Sequence, residues 1–168
     1  MRSWENRSTE IANLLNPAFL SVIIYQSIKG YTTEMSKSKC PYVLPFLVTS
    51  LVLHKKTRDS LPRQVTSTLS TWLTQIRGSH AKLNYSERTK ELVPFVKEAI
   101  MFGLNNQLLL LADNGSLDTN QNISFPTHSN NSITNEVANC YKRAYFCGRW
   151  IARAGKIETV MALLGVKP

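Results

Sequence analysis

The stretch that decides the fold is 134-TNEVANCYKRAYFCGRWIARA-154. On a helical wheel of about 100° per residue, its small apolar side chains gather on one side. Members of this small face are Val137, Cys140, Ala144, Cys147, Ile151 and Ala154. The pattern predicts a helix from about Thr134 to Ala154. Because the side chains of the small face are short, we expect another helix to pack closely against it.

The opposite side of the same helix carries positive charge. Lys142, Arg149 and Arg153 fall within about 40° of one another, and Lys156 would join them if the helix continued through Gly155. We call these four residues the basic row. Between residues 137 and 157 there are five Lys or Arg residues and no acidic residue. Exposed helices usually mix signs to gain ion pairs, so this row favours an acidic partner, either phosphate or a carboxylate-rich protein surface.

Two aromatic residues flank the basic row, and a second basic cluster lies in the connector 54–63. Tyr145 and Trp150 are candidate interface aromatics, because Tyr and Trp beside Arg are typical of binding surfaces. Trp150 fits a core position equally well. The second cluster contains Lys55, Lys56 and Arg58. Either cluster could also be a solvated surface without a partner.

The rest of the pattern predicts a mainly α fold with one small β-hairpin, as a single helical domain over residues 1–168. Further helices are expected from Pro17 to Lys29, Leu44 to Leu53, Leu61 to Gly78, Asn84 to about Leu104 and Lys156 to Leu164. The turn Asp113-Asn114-Gly115 predicts a hairpin near 107–126, and polar residues predict an exposed loop near 119–132. Helices followed by a hairpin would suit a winged-helix arrangement.

Composition narrows the function classes. The chain has 168 residues and a net charge of +9, which favours acidic partners such as nucleic acid. Three cysteines, without a C-x-x-C pair, are expected to be reduced core thiols, Cys40, Cys140 and Cys147. The longest apolar run, Tyr42 to Leu53, is shorter than the ~20 residues of a membrane span. We expect a cytoplasmic protein that does not associate with membranes.

No catalytic or metal motif is visible in the sequence. His54, His80 and His128 lie far apart and share no metal-ligand spacing with a cysteine or an acid. The seven glycines are scattered, so no phosphate-binding loop is present. The sequence therefore predicts a protein without a cofactor that is not an enzyme, unless the fold assembles a site from distant residues.

Three blocks of sequence carry a family resemblance. They are Glu10–Phe19, then Leu44–Val48 with Leu51–Arg58 and Leu61-Pro62, and finally Gly148–Gly155 with Leu163–Val166. In this order they resemble the middle components of prokaryotic three-component ABC systems, which include the Lamassu defence systems. The resemblance covers most of the chain, and the family motif supplies no catalytic residues.

The resemblance implies a role in an assembly. Such a middle component would be a non-catalytic adaptor between an SMC-like or Rad50-like ABC ATPase and an effector subunit, often a nuclease. The assembly would sense foreign DNA, directly or through the complex, and act against phages or plasmids. Two other functions fit the residues: a stand-alone winged-helix DNA-binding regulator, or a small enzyme with a site assembled in space.

Overall fold

The computed structural model describes residues 6–35, 39–76, 84–125 and 133–167. Within these ranges the chain forms eight helices and one two-stranded antiparallel sheet, which confirms the mainly α fold with one hairpin. The elements are α1 Thr9–Leu14, α2 Pro17–Glu34, α3 Leu44–Leu53, α4 Lys55–Ser60, α5 Leu69–Gln75, α6 Tyr85–Asn105, β1 Leu109–Leu111, β2 Leu117–Thr119, α7 Asn135–Arg153 and α8 Ile157–Leu164.

Helix α2 lies at the centre of the core. It begins as predicted, because Asn16 Oδ1 accepts a hydrogen bond from the Ala18 amide at 2.8 Å and Pro17 occupies the first helical position. All residues from 20 to 28 are buried. The predicted stop at Gly30 is wrong, since α2 continues to Glu34.

Gly30 lies at a contact between two helices and does not end a helix. A Cβ atom added at Gly30 would lie 2.2 Å from the Tyr145 carbonyl oxygen of α7, and one added at Gly148 would lie 2.0 Å from the Ser27 carbonyl oxygen of α2. The two backbones therefore touch where α2 and α7 cross. The predicted close packing of the small face is confirmed by its buried members, which are Cys140, Ala144, Cys147 and Ile151.

Helices α3 and α6 complete the packing around α2. Helix α3 has its predicted bounds and is buried from Leu44 to Val52. Helix α6 passes through Pro94 as one helix. Helix α6 begins at Tyr85 rather than at Asn84, which has a left-handed backbone (φ 53°) and makes no side-chain capping bond. Tyr85 donates a hydrogen bond to the Leu47 carbonyl at 2.9 Å and so ties α6 to α3.

Residues 54–68 differ from the sequence-based prediction. Helix α4 forms where a connector was expected, because His54 Nδ1 accepts a hydrogen bond from the Thr57 amide at 3.3 Å. Helix α5 begins at Leu69 rather than Leu61, since Thr68 Oγ1 accepts from the Thr71 amide at 3.1 Å. The predicted helix end at Gly78 lies outside the described residues.

The hairpin forms at the predicted turn. Gly115 adopts a positive φ of 76°, which glycine tolerates without a steric penalty. Leu117 of β2 also pairs with Cys40 on the other edge of the strand, through N–H···O distances of 3.0 and 2.8 Å. The hairpin is thus attached to the chain between α2 and α3. The winged-helix arrangement stays a prediction.

The described part of the predicted loop, residues 119–125, is not fully exposed: Thr119 is buried in β2, and residues 120–125 are partly packed. Ile123 and Phe125 are half-buried. The Phe125 ring meets the Tyr25 ring edge-on, with 5.2 Å between the centroids, and the Tyr25 hydroxyl donates to the Ile123 carbonyl. Residues 126–132 of the predicted loop lie outside the described ranges.

The three cysteines are buried and unbonded, as expected of core thiols. Burial raises the pKa of the Cys147 thiol to about 12 and also raises that of Cys140. These thiols are therefore protonated at neutral pH and behave as small apolar side chains.

Among the described residues, the stretch that comes nearest to a membrane span is 9–34, not 42–53. Its length and the mean hydropathy of 1.4 in its 18-residue apolar window would allow a crossing, and half of that window is buried inside the fold. Helix α2 supplies the buried part and packs against α7, α6 and α3. Its apolar character is consistent with the core helix of a soluble protein.

The helix crossing gives a test of stability. We expect Gly148→Ala to lower the free energy of unfolding by about 1–3 kcal/mol, because the new methyl group would meet the α2 backbone. Urea unfolding measures the change. Gly103→Ala is the comparison, since its Cβ would meet only side-chain atoms of Leu109, the nearest at 2.7 Å, and should cost less than a contact with a fixed helix backbone. Equal effects of both substitutions would contradict the account of the crossing.

Candidate partner-binding face of helix α7

Two arginines of the basic row share one acid of the same chain. Arg149 Nε donates to Glu34 Oε2 at 2.8 Å, and Arg153 donates to the other carboxylate oxygen. Glu34 reaches them because α2 continues one turn beyond Gly30. The sequence predicted an acidic partner from another molecule for these two arginines. In the structure, their acidic partner is Glu34 of the same chain.

The shared carboxylate neutralises only part of this charge. The hydrogen bond from Arg149, followed by that from Arg153, lowers the pKa of the Glu34 carboxyl, so it is ionised at neutral pH. Two guanidinium groups and one carboxylate leave a net charge of +1. The arginine side chains stay 37% and 47% exposed, respectively. Each guanidinium has five N–H donors, so donors remain for a second anion.

The two lysines of the basic row are more open. Lys142 and Lys156 are exposed, and neither forms an ion pair within the described ranges. Lys142 lies eleven residues before Arg153 on α7, a rise of roughly 16 Å along the axis. Helix α7 ends at Arg153 and Gly155 has a positive φ of 97°, so Lys156 stands at the start of α8 and does not continue the row along α7. The face of α7 itself therefore carries one open lysine, Lys142, and the carboxylate-bound arginine pair.

The two flanking aromatics have different positions. Trp150 is 1% exposed, its Nε1 donates to the Ser67 carbonyl at 2.6 Å, and its ring meets Trp72 edge-on. Trp150 is therefore a core residue. Tyr145 is half-buried, and its carbonyl lies against Gly30.

The second basic cluster is divided by the fold. Arg58 is 2% exposed and donates to the Val52 carbonyl at 2.6 Å and to Glu136 at the start of α7. It joins α4 to α7 and is not available at the surface. Lys55 is exposed but forms an ion pair with Asp59 at 2.6 Å, whereas Lys56 is exposed without an ion pair in the described chain.

A cavity of about 350 Å³ is lined by residues 65–70 and by Trp150, Arg153, Ala154 and Leu163. Four of the lining residues carry hydroxyl groups, of which that of Thr68 already accepts from the Thr71 amide. Hydroxyl groups and a guanidinium are suitable donors to an anion. Within the described residues, no group of three or more His, Cys, Asp or Glu side chains is placed to hold a metal ion.

Sequence reasoning missed Glu34 and Gly148. A usable signal existed for both. Had α2 been extended past Gly30, Glu34 would fall one turn later on the same side of the helix. Gly148 lies four residues after Ala144 and four before Ala152, a spacing that marks a close helix contact.

The shared carboxylate should be visible as pH-dependent stability. Its pKa is lowered in the fold, so the stabilisation is present above the ordinary Glu value of about 4.3 and is lost as the pH falls through the lower folded value. We expect Glu34→Gln to melt a few degrees below the wild type at pH 7, and the difference to disappear in strong acid. Thermal melts between pH 2 and 8 measure it.

The matched control is Glu91→Gln, because Glu91 is exposed on α6 and forms no ion pair among the described residues. It should melt like the wild type at each pH. A Glu34→Gln difference that stays constant from pH 2 to 8 would argue against the ion pairs as its source.

A search of curated proteins and a search of solved structures each gave no match. The family model for the ABC-three component (ABC-3C) system Middle Component 3 matches residues 4–168. This match spans nearly the whole chain, including α2, α7 and the basic row. The chain therefore belongs to the Middle Component 3 family of ABC-three component systems.

Proposed function

We propose that the chain is a non-catalytic adaptor that joins an SMC-like ABC ATPase to an effector, often a nuclease, in a DNA-sensing complex. The observation that carries the proposal is the family match over residues 4–168, because a middle component works among the other components of its system. The complex would act in the cytoplasm against phages or plasmids, as Lamassu systems do.

The exposed face of α7 is the proposed contact surface. Its open cation is Lys142, and the arginine pair adds a net charge of +1. Lys156, exposed at the start of α8 and three residues beyond the end of α7, supplies a further cation. Such a row is suited to phosphate or to an acidic protein patch. The binding group is thus DNA or the acidic surface of the ATPase, and the two can be separated by experiment.

A non-catalytic role is supported by the interior of the fold. The cysteine thiols are buried and protonated, and Arg58 is engaged with Val52 and Glu136. Arg149 and Arg153 are partly exposed and both are bound to the Glu34 carboxylate. These groups are suited to structure and charge rather than to bond-breaking chemistry.

Charge reversal of the open lysines tests the proposal. We expect Lys142→Glu with Lys156→Glu to weaken binding to the other two components, or to DNA, by about tenfold, because favourable charge contacts become repulsive. Both residues are exposed, so the fold should not change. Binding is measured by co-purification of the reconstituted system and by fluorescence anisotropy with a labelled DNA duplex.

Lys90→Glu with Lys97→Glu is the control, because it makes the same charge change at exposed positions of α6. Unchanged assembly and DNA binding in the α7 variant would rule out the basic row. Tight DNA binding by the isolated chain, with a log–log salt slope of about 0.9 per phosphate, would instead favour the stand-alone regulator. An adaptor should bind DNA weakly when alone.

A further inference from the structure

We infer that Glu34 restrains DNA binding by this chain, because its carboxylate takes up donors and charge of Arg149 and Arg153 that would otherwise serve a phosphate group of the DNA backbone. This inference rests on the proposed adaptor function, in which the outer face of α7 is a contact surface. It adds an internal regulator to that surface and assigns DNA, rather than an acidic protein patch, as the ligand of the arginine pair.

The arginine pair is built like an anion-binding site that already holds an anion. Arg149 Nε donates to Glu34 Oε2 at 2.8 Å, and Arg153 donates to Glu34 Oε1. Guanidinium groups bind carboxylates and phosphates through the same N–H···O geometry. Because both arginine side chains stay partly exposed, a phosphate from solvent can reach their remaining donors. It would then lie beside the Glu34 carboxylate, and the two negative charges would repel each other.

Glu34 is the last residue of α2, where a carboxylate is unfavourable. The carbonyl groups at the end of a helix carry partial negative charge, so cations rather than acids stabilise that end. Helix α2 itself therefore gains nothing from an acid at this position. The gain comes from the contact with α7, where Glu34 joins the two helices and cancels one of two positive charges. A structural tie and a restraint on DNA binding predict different results when the carboxylate is removed.

The surroundings of the arginine pair favour DNA as the ligand. The chain has a net charge of +9, and a duplex carries phosphates along its whole length, so the duplex attracts the chain as a whole. Lys142 lies on the same side of α7, roughly 16 Å from Arg153 along the axis, and one duplex is long enough to contact both. Arg153 also lines a cavity together with Thr66, Ser67 and Ser70. Hydroxyl side chains are common donors to DNA phosphates.

Such a restraint fits an adaptor better than a stand-alone regulator. With Glu34 in place, the arginine pair contributes a net charge of +1, so the isolated chain should bind DNA only weakly. Contacts from the other components then have to add to those of α7 before DNA is held. Binding through several weak contacts makes DNA recognition depend on the assembled complex.

The test compares Glu34→Gln with the wild type, using the purified full-length chain and a fluorescein-labelled DNA duplex in an anisotropy titration. We expect Glu34→Gln to lower the Kd for the duplex about three- to tenfold at low salt, and less at high salt, because a like charge beside the phosphate is removed. Glutamine has nearly the shape of glutamate and keeps one acceptor oxygen, so the fold should be kept. The variant should also melt below the wild type. A gain in affinity that accompanies a loss of stability is not expected of a structural tie.

Glu91→Gln is the matched control, because it makes the same change in net charge at an exposed position of α6. It should lower the Kd for the duplex much less. In a chain that also carries Arg149→Gln and Arg153→Gln, Glu34→Gln should have no larger effect than Glu91→Gln. Equal Kd values of the two single variants, or no measurable DNA binding by Glu34→Gln, would overturn this inference.

The adaptor function is tested separately, by co-purification of the wild-type chain with the other two components of its system. Failure of the wild type to join either component would overturn that function, whatever the Kd for DNA. If Glu34→Gln binds the ATPase component more tightly while its Kd for DNA is unchanged, the ligand of the arginine pair is an acidic protein surface, and DNA is rejected.

Discussion

The structure depends on the direct contact of two helix backbones. Gly30 of α2 and Gly148 of α7 each leave no room for a Cβ atom, since one would lie about 2 Å from a carbonyl oxygen of the other helix. Interiors are packed to high density, so few other residues could be accommodated there. Helix α2 also contacts α3 and α6, and this crossing therefore positions α7 relative to the entire core.

The position of the charged face follows from the same crossing. With α7 held against α2, the last turn of α2 places Glu34 beside Arg149 and Arg153. One face of α7 therefore packs in the core, and the two arginines on the other face are held in place by a single carboxylate. Because Glu34 holds Arg149 and Arg153 in position, these two side chains lose less conformational entropy on binding than free ones, which favours the role of a docking surface in an assembly.

Much of this architecture could be predicted from residue patterns. The α7 helix, the buried α3, the capped start of α2 and the hairpin at Asp113-Asn114-Gly115 all depend on local periodicity or turn chemistry, which the sequence displays directly. The errors came from tertiary context. Gly30 does not end α2, because it lies in contact with α7. Arg58 is buried because it forms an ion pair with Glu136, 78 residues later. Such distant partners cannot be read from spacing.

The account makes the outer face of α7 an interface within a three-component ABC system. Acetylation of lysines by an amine-reactive reagent, followed by mass spectrometry, tests this claim most directly on the isolated chain and the assembled complex. The account predicts that Lys142 and Lys156 lose reactivity on assembly while Lys97 of α6 keeps it. Equal reactivity of Lys142 and Lys156 in the two states would contradict it.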